Sequence, residues 1–415
     1  VNHFRRVRGE LHCEGVPLSR IAEQAGTPTY VYSTRTLRRH ARVFKSALRG
    51  LDHLACFAVK AAGNLALLAL LRREGFGFDI VSGGELFRAL QAGADPRRIV
   101  FSGVGKTRPE LRAALQAGIL QFNCESEEEL AQLSEVAISL RTRARIAIRV
   151  NPEVDARTHP YIATALATSK FGIPAARARR AFQLAGSLRG LQVQGVACHI
   201  GSQIGSVRPF VEAATKMRAL VVQLRQDGHD LRHLDMGGGL GVPYGDGPEP
   251  APPAAYGEAL RKALAGLDVK VLLEPGRLLV ANAGILLTRV ILTKRGAGAR
   301  KFAVVDAGMN DLLRPALYGA HHELETVARP RPGGARIDVV GPVCESADVL
   351  ASRRLLPPLE PDDLLAVRTA GAYGMAMASN YNARPRPAEV LVLGNEFRLV
   401  RKRETLRDLI RGETT

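Results

Sequence analysis

Short apolar runs alternate with longer amphipathic stretches through the first two-thirds of the chain. The runs Leu54–Val59, Phe78–Val81, Ile99–Ser102, Leu120–Asn123, Arg145–Val150, Gln194–His199, His233–Met236 and Lys270–Glu274 have the length and texture of buried strands. Between them Glu85–Ala92, Pro109–Ala117, Glu127–Leu140, Pro209–Gln226 and Tyr256–Ala265 carry apolar residues at helical spacing. Eight strand–helix repeats favour a closed (β/α)8 TIM-type barrel over an open doubly wound sheet. After Gly276 the texture changes. Runs such as "KFAVVDAG", "RIDVVGPVC" and "AEVLVLG" are short and β-branched, broken by Gly and Pro, and long helical patterns are scarce. The pattern predicts an α/β plus all-β chain: a barrel over residues 36–277 and a C-terminal β domain over 278–415, joined by residues 1–35, where "TPTYVYS" offers a further strand. The tail "RLVRKRETLRDLIRG" reads as an amphipathic basic helix.

Composition narrows the class. The 415 residues are 46% hydrophobic, enough for two or three domains around large cores. The formal net charge is +18, but arginine is spread along the chain and no aromatic-interleaved basic motif occurs, so no nucleic-acid partner is expected. Five scattered cysteines without a CxxC argue against a disulfide framework or a zinc site and for a reducing, cytoplasmic setting. No apolar run reaches the length of a membrane span, and the first residues lack a signal peptide's apolar stretch, so no membrane partner is expected either.

In a barrel the chemistry gathers where strands end. Here the strand ends carry Lys60, Ser82-Gly83-Gly84-Glu85, Asn151-Pro152, His199-Ile200-Gly201-Ser202, Asp235 with Gly237-Gly238-Gly239, and Glu274-Pro275-Gly276-Arg277. An ammonium at a core edge is costly unless paired, solvated or neutralised. Taken alone, Lys60 also reads as a surface lysine and His199 as a core histidine bonded to backbone. Together a lysine, a glycine nest for phosphate, a buried carboxylate and an imidazole point to pyridoxal 5'-phosphate, which needs an amine to hold it, an anion cradle and an acidic partner for its ring nitrogen. Two other motifs fall away. "GVGKT" (103–107) lacks the first glycine of a phosphate-binding P-loop, since position 100 is valine, and His321-His322 has no carboxylate spacing for a metal.

The motifs "FAVKAAGN", "FDIVSGGEL", "RVNPEVDARTHPYIATALATSKFGI", "HIGSQI", "LDMGGGLGVPY", "LEPGR", "GPVCESAD" and "AGAYGMAMASNYN" cover nearly the whole chain. With them the sequence resembles the diaminopimelate decarboxylase family, fold-type III pyridoxal-phosphate enzymes related to ornithine and arginine decarboxylases and alanine racemase. The resemblance implies that Lys60 carries the cofactor, His199 stacks on its ring and Glu274 pairs with its ring nitrogen. It implies that Ser202, Gly238, Gly239, Gly276 and Arg277 hold the cofactor. Arg277, Arg314 and Tyr318 would grip the substrate's distal carboxylate, and Tyr373 would touch cofactor and substrate. Cys344 and Glu345 would enter from the second subunit of a homodimer with shared sites, so that the β domain completes both the active site and the dimer interface. Cys344 would protonate the product carbanion, the reaction being meso-2,6-diaminopimelate to L-lysine and CO2. Without the resemblance, Arg314 reads as a surface arginine, Cys344 as a buried thiol and Glu345 as a turn carboxylate. One departure is visible: Lys60 is followed by Ala61-Ala62-Gly63-Asn64 where the family usually has Ala-Asn. The rival readings are an ornithine, arginine or carboxynorspermidine decarboxylase, whose polyamine-type substrates lack the distal carboxylate, and a non-catalytic pyridoxal-phosphate carrier.

Overall fold

The computed structural model describes residues 2–155, 170–245, 247–298 and 300–414. Residues 156–169 of the long motif, all of "THPYI" included, lie outside the described residues. The chain divides into two compact units, one of Ala41–Val242 with Pro248–Leu278, the other of Val1–His40, Pro243–Gly247 and Leu279–Thr415.

The first unit is a closed barrel. Its eight strands are His53–Ala58, Gly77–Ile80, Ile99–Phe101, Gln121–Cys124, Ala144–Asn151, Leu191–Ala197, His233–Asp235 and Lys270–Leu273. Each pairs in parallel with the next, and the last pairs back onto the first through Val271 with His53 and Leu272 with Leu54. Strand periodicity sorts the side chains. Phe57, Phe78, Phe101 and Phe122 take the outward face and are fully buried, each contributing roughly 2–3 kcal/mol of apolar burial. Leu54, Cys56, Val100 and Leu272 turn inward and form an apolar plug. Two residues further along these and neighbouring strands the inward positions become polar: Ser102, Asn123, Asp235 and Glu274. The inward layer at the strand ends is thus polar, and the layer below it is apolar apart from the buried Gln121, which lies in register with Val100. Three of its helices start on side-chain caps: Asn64 accepts from Ala66 N–H at 2.9 Å, Ser82 from Glu85 N–H at 3.2 Å and Ser126 from Glu129 N–H at 3.1 Å.

The second unit is built on sheet. Its spine is the twelve-residue strand Gly284–Arg295, which pairs antiparallel with Thr29–Ser33, Lys301–Val305 and Leu364–Val367. Thr29–Ser33, the "TYVYS" run, also lies parallel to Ala388–Leu393. Leu11, Cys13, Val16, Ile21, Val31, Leu287, Val390 and Val392 are among the residues packed into its core. The expected basic C-terminal helix is corrected. Glu396–Arg401 is a strand paired with Ala388–Leu393, and only Leu406–Leu409 is helical. The two-residue turn Gly394-Asn395, with Gly394 at φ 65°, folds the tail back onto its neighbour before a helix can start. Among the described residues no helix is long and apolar enough to cross a membrane.

Candidate active site

The first barrel strand runs out at Ala58 into a single 3-10 turn, Val59–Ala61, which carries Lys60. Asn64, in the stretch where the family motif is interrupted, caps the helix that follows. Lys60 Nζ lies 2.5 Å from Oδ2 of Asp79, a fully buried carboxylate on the second strand. This ion pair is what makes an ammonium tolerable at the core edge. Asp79 is a partner the sequence motifs do not point to. Its one signal is an acid inside the apolar run "GFDI", two residues from Gly77 and therefore on the lumen side.

Lys60, His199 and Glu274 line one cavity of about 400 Å³, together with Ser102, Asn123, Arg149 and Phe171. Arg149 reaches it from the fifth strand with its charge answered by Glu125 at 2.8 Å and its guanidinium 4.9 Å over the Phe171 ring. His199 is held neutral, its pKa pushed well down by burial and then by the positive charges of Arg149 and Lys60. Gly238 N–H donates to its Nδ1 at 3.1 Å, which places the ring proton on Nε2. A Cβ at Gly237 would come within 2.6 Å of that Nδ1, so the glycine lets the imidazole lie against the loop. Gly239 has φ 117°, and a Cβ there would collide with the Gly201 carbonyl.

Glu274 is buried and hydrogen-bonded within the barrel, Asp235 among its partners. Ser102 Oγ donates to its Oε1 at 3.2 Å, and Asn123 Nδ2 lies 3.3 Å from the same oxygen. Asn123 Nδ2 also lies 2.9 Å from Asp235 Oδ2, whose other oxygen accepts from Gly237 N–H at 2.9 Å. Burial pushes the Glu274 carboxyl well above the usual range, and the charges of Asp235 and Asp79 push it the same way. Burial raises Asp235 too, against the donors from Asn123 and Gly237. Two acids that share one amide and hydrogen-bond each other cannot both ionise cheaply, so the Glu274–Asp235 pair holds a proton between them.

The remaining expected residues sit as follows. Arg277 Nη2 donates to Ser202 Oγ at 3.0 Å in the barrel unit, and Gly276 is buried beside it. The other five belong to the sheet unit. Arg314 is buried, not a surface arginine: its Nη1 meets His322 Nε2 at 2.9 Å and its guanidinium stacks 4.3 Å from the Tyr244 ring. Tyr318, four residues on, and Tyr373, at φ 56°, are half-buried. Cys344 and Glu345 are exposed; Asn382 Oδ1 accepts from Cys344 N–H at 2.7 Å, and Tyr381 Oη donates to Glu345 Oε2 at 3.4 Å. Cys344 is thus not a buried apolar thiol, whereas the other four cysteines are buried. The "GVGKT" lysine, Lys106, is structural, buried with Nζ 2.6 Å from Glu129 and 2.7 Å from the Gly103 carbonyl. Among the described residues no cluster of His, Cys, Asp and Glu suits a metal ion.

The donor set fits pyridoxal phosphate. A single accessible amine, a protonated buried carboxyl and a flat neutral imidazole share one cavity, beside a glycine loop whose backbone a Cβ would obstruct. Comparison with known proteins agrees with this reading. Residues 34–281 match the pyridoxal binding domain of the pyridoxal-dependent decarboxylases. The chain is 53% identical over 408 residues to a diaminopimelate decarboxylase of Pseudomonas aeruginosa, covering 98% of this chain and 97% of that one. It is 51% identical over 403 residues to the diaminopimelate decarboxylase of Vibrio cholerae, covering 97% and 96%. Among solved structures it superposes on the diaminopimelate decarboxylase of Helicobacter pylori complexed with L-lysine, with a TM-score of 0.91, 42% identity, and coverage of 95% of this chain and 98% of that one. With near-complete coverage and about half of all residues shared, the chain belongs to the diaminopimelate decarboxylase family of pyridoxal-dependent carboxy-lyases.

Proposed function

We propose that the chain converts meso-2,6-diaminopimelate to L-lysine and CO2, the final reaction of lysine synthesis, in the cavity that Lys60, His199 and Glu274 line. The observation that carries this is their convergence: three groups from strand ends far apart in sequence face one space. When bound there, pyridoxal phosphate supplies a sink for the electron pair left as the substrate's carboxylate departs. Lys60 holds the cofactor through its amine, and Asp79 balances that amine's charge whenever it is free and protonated. His199, neutral and flat, offers an apolar stacking face. Glu274 holds a proton against the ring nitrogen. Ser202, Gly238, Gly239 and the Gly276–Arg277 backbone hold the phosphate. Arg277, Arg314 and Tyr318 bind the distal carboxylate, which separates this substrate from ornithine and arginine, while Tyr373 contacts cofactor and substrate. The H. pylori relative's L-lysine complex supports lysine as the product.

The test is a substrate panel. The purified chain loaded with pyridoxal phosphate should release CO2 and L-lysine from meso-diaminopimelate, and kcat/KM for CO2 release from ornithine or arginine should be at least about a hundredfold lower. Release from ornithine or arginine with none from meso-diaminopimelate would overturn the assignment.

We further propose a cytoplasmic homodimer in which Cys344 and Glu345 serve the neighbouring subunit's site. Their exposure supports this, because an acid–base pair completing a partner's cavity has to stand at the surface of its own chain. On this reading Glu345 meets the distal ammonium and Cys344 returns a proton to the substrate carbon. Subunit exchange decides it. Mixing inactive Lys60→Ala with inactive Cys344→Ala chains should restore about a quarter of wild-type activity, since half the dimers are mixed and each then has one intact site of two. No recovery, with exchange verified by differently tagged chains, would show that each chain builds its own site.

A further inference from the structure

Within the barrel a column of polar side chains runs beneath the cavity. His233 Nδ1 lies 2.7 Å from Gln121 Oε1, and Gln121 Nε2 donates to Asn123 Oδ1 at 2.9 Å. Asn123 Nδ2 then faces three acceptors, Asp235 Oδ2 at 2.9 Å, Ser102 Oγ at 3.1 Å and Glu274 Oε1 at 3.3 Å. The direction of donation is set at both ends. Gln121 can offer its NH2 to Asn123 only by turning its oxygen to His233, and Asn123 must then turn its own NH2 to the carboxylates. Gln121 and Asn123 are both fully or nearly fully buried, so neither amide can turn to water instead.

We infer that Asn123 is a positioning residue for Glu274: oriented from below by Gln121, it divides its two N–H groups between Asp235 and the Glu274–Ser102 pair, and so fixes which oxygen of Glu274 remains for the cofactor ring. Both donors to Glu274, Asn123 and Ser102, address Oε1. Oε2 is the oxygen that neither Ser102 nor Asn123 addresses. Asp235 takes one N–H from Asn123 and one from Gly237 and is itself hydrogen-bonded to Glu274, so the two acids act as one coupled pair. The inference rests on the role given to Glu274 above, but its first consequence needs neither cofactor nor substrate.

That consequence concerns the cofactor-free protein. The charged and titratable groups acting on Glu274 are Asp235 and Asp79, which raise its pKa, and Lys60 and Arg149, which lower it. A folded-state carboxyl held above its unfolded value stabilises at low pH, and that stability is lost as pH rises through the folded value. Removing the Asn123 amide makes ionisation of the pair costlier still. The Asn123→Ala variant should therefore melt lower than wild type by an amount that grows with pH, by at least about 2 °C more at about pH 8.5 than at about pH 5.5. A residue that merely fills space would cost the same at every pH. In the loaded enzyme Asn123→Ala should lose at least about tenfold in kcat with KM within about threefold. Its cofactor absorbance should titrate at a shifted pH, and Asn123→Ser, which keeps one donor, should recover part of each effect. Should Asn123→Ala fail to fold, Ser102→Ala removes the other donor to Oε1 and should shift the same absorbance titration. A pH-independent loss of melting temperature, or unshifted titrations in both variants, would overturn the inference. The melting result stands whether or not the substrate assignment does.

Discussion

Replacing Lys60 by alanine should abolish decarboxylation, by roughly four orders of magnitude or more, because no other amine lines the cavity described here. The loss has a second face that a purely catalytic residue would not show. Asp79 is completely buried and loses its cation in the Lys60→Ala chain. A buried carboxylate stripped of its partner is destabilising, and since the Lys60 side chain keeps 36% exposure the cost is reduced to on the order of 1–2 kcal/mol. The variant should melt lower than wild type, and the double variant Lys60→Ala/Asp79→Asn should regain most of that melting temperature while staying inactive. Equal melting of the single and double variants would show that the pair does not stabilise the barrel. An active Lys60→Ala enzyme would remove the basis of the whole site.

Glu274→Gln should lower kcat by about two to three orders of magnitude while leaving cofactor bound. The amide keeps the shape of the side chain and an oxygen for Ser102 and Asn123, so the cavity wall is preserved. What disappears is the acidic proton. A neutral amide cannot keep a ring nitrogen protonated, and the released electron pair loses its sink. Stability should move the other way. Glu274 and Asp235 are two buried acids held above their ordinary range, so wild-type stability falls as pH rises. With Gln at 274 one of the two is gone, and the cofactor-free variant should show a shallower decline with pH than wild type. Near-normal turnover would show that Glu274 is not the ring's partner.

The architecture was legible because each layer repeats one rule. Apolar runs of strand length alternate with helical spacing, and the observed strands start and stop within a few residues of the expected ones. Lys60, His199 and Glu274 were legible for a related reason: each ends an apolar run, and a barrel brings the ends of its strands together. The groups that govern their charge were not. Asp79 is a lone acid inside a short apolar run, and nothing local says that Lys60, on the preceding strand's end, is its partner. Asn123 meets Asp235 across 112 residues and Glu274 across 151, a convergence that closure of the ring creates and no local pattern encodes. Arg314 misled in the opposite sense, since its setting "LLRPALYG" reads as a surface turn, yet the Tyr244 ring and His322 bury it. At the C-terminus the basic residues drew attention to helical spacing, while the alternation in "VLVLGNEFRLV" about its Gly-Asn turn already described a hairpin.

The central claim is that this cavity holds pyridoxal phosphate on Lys60, and mapping the attachment point tests it most directly. The loaded enzyme is reduced with borohydride, digested, and the peptide bearing the pyridoxyl group is sequenced by mass spectrometry. The mark should fall on Lys60, within "CFAVKAAGN", and should vanish in the Lys60→Ala chain. A mark on any other lysine of the wild-type enzyme, Lys106 included, would contradict the account.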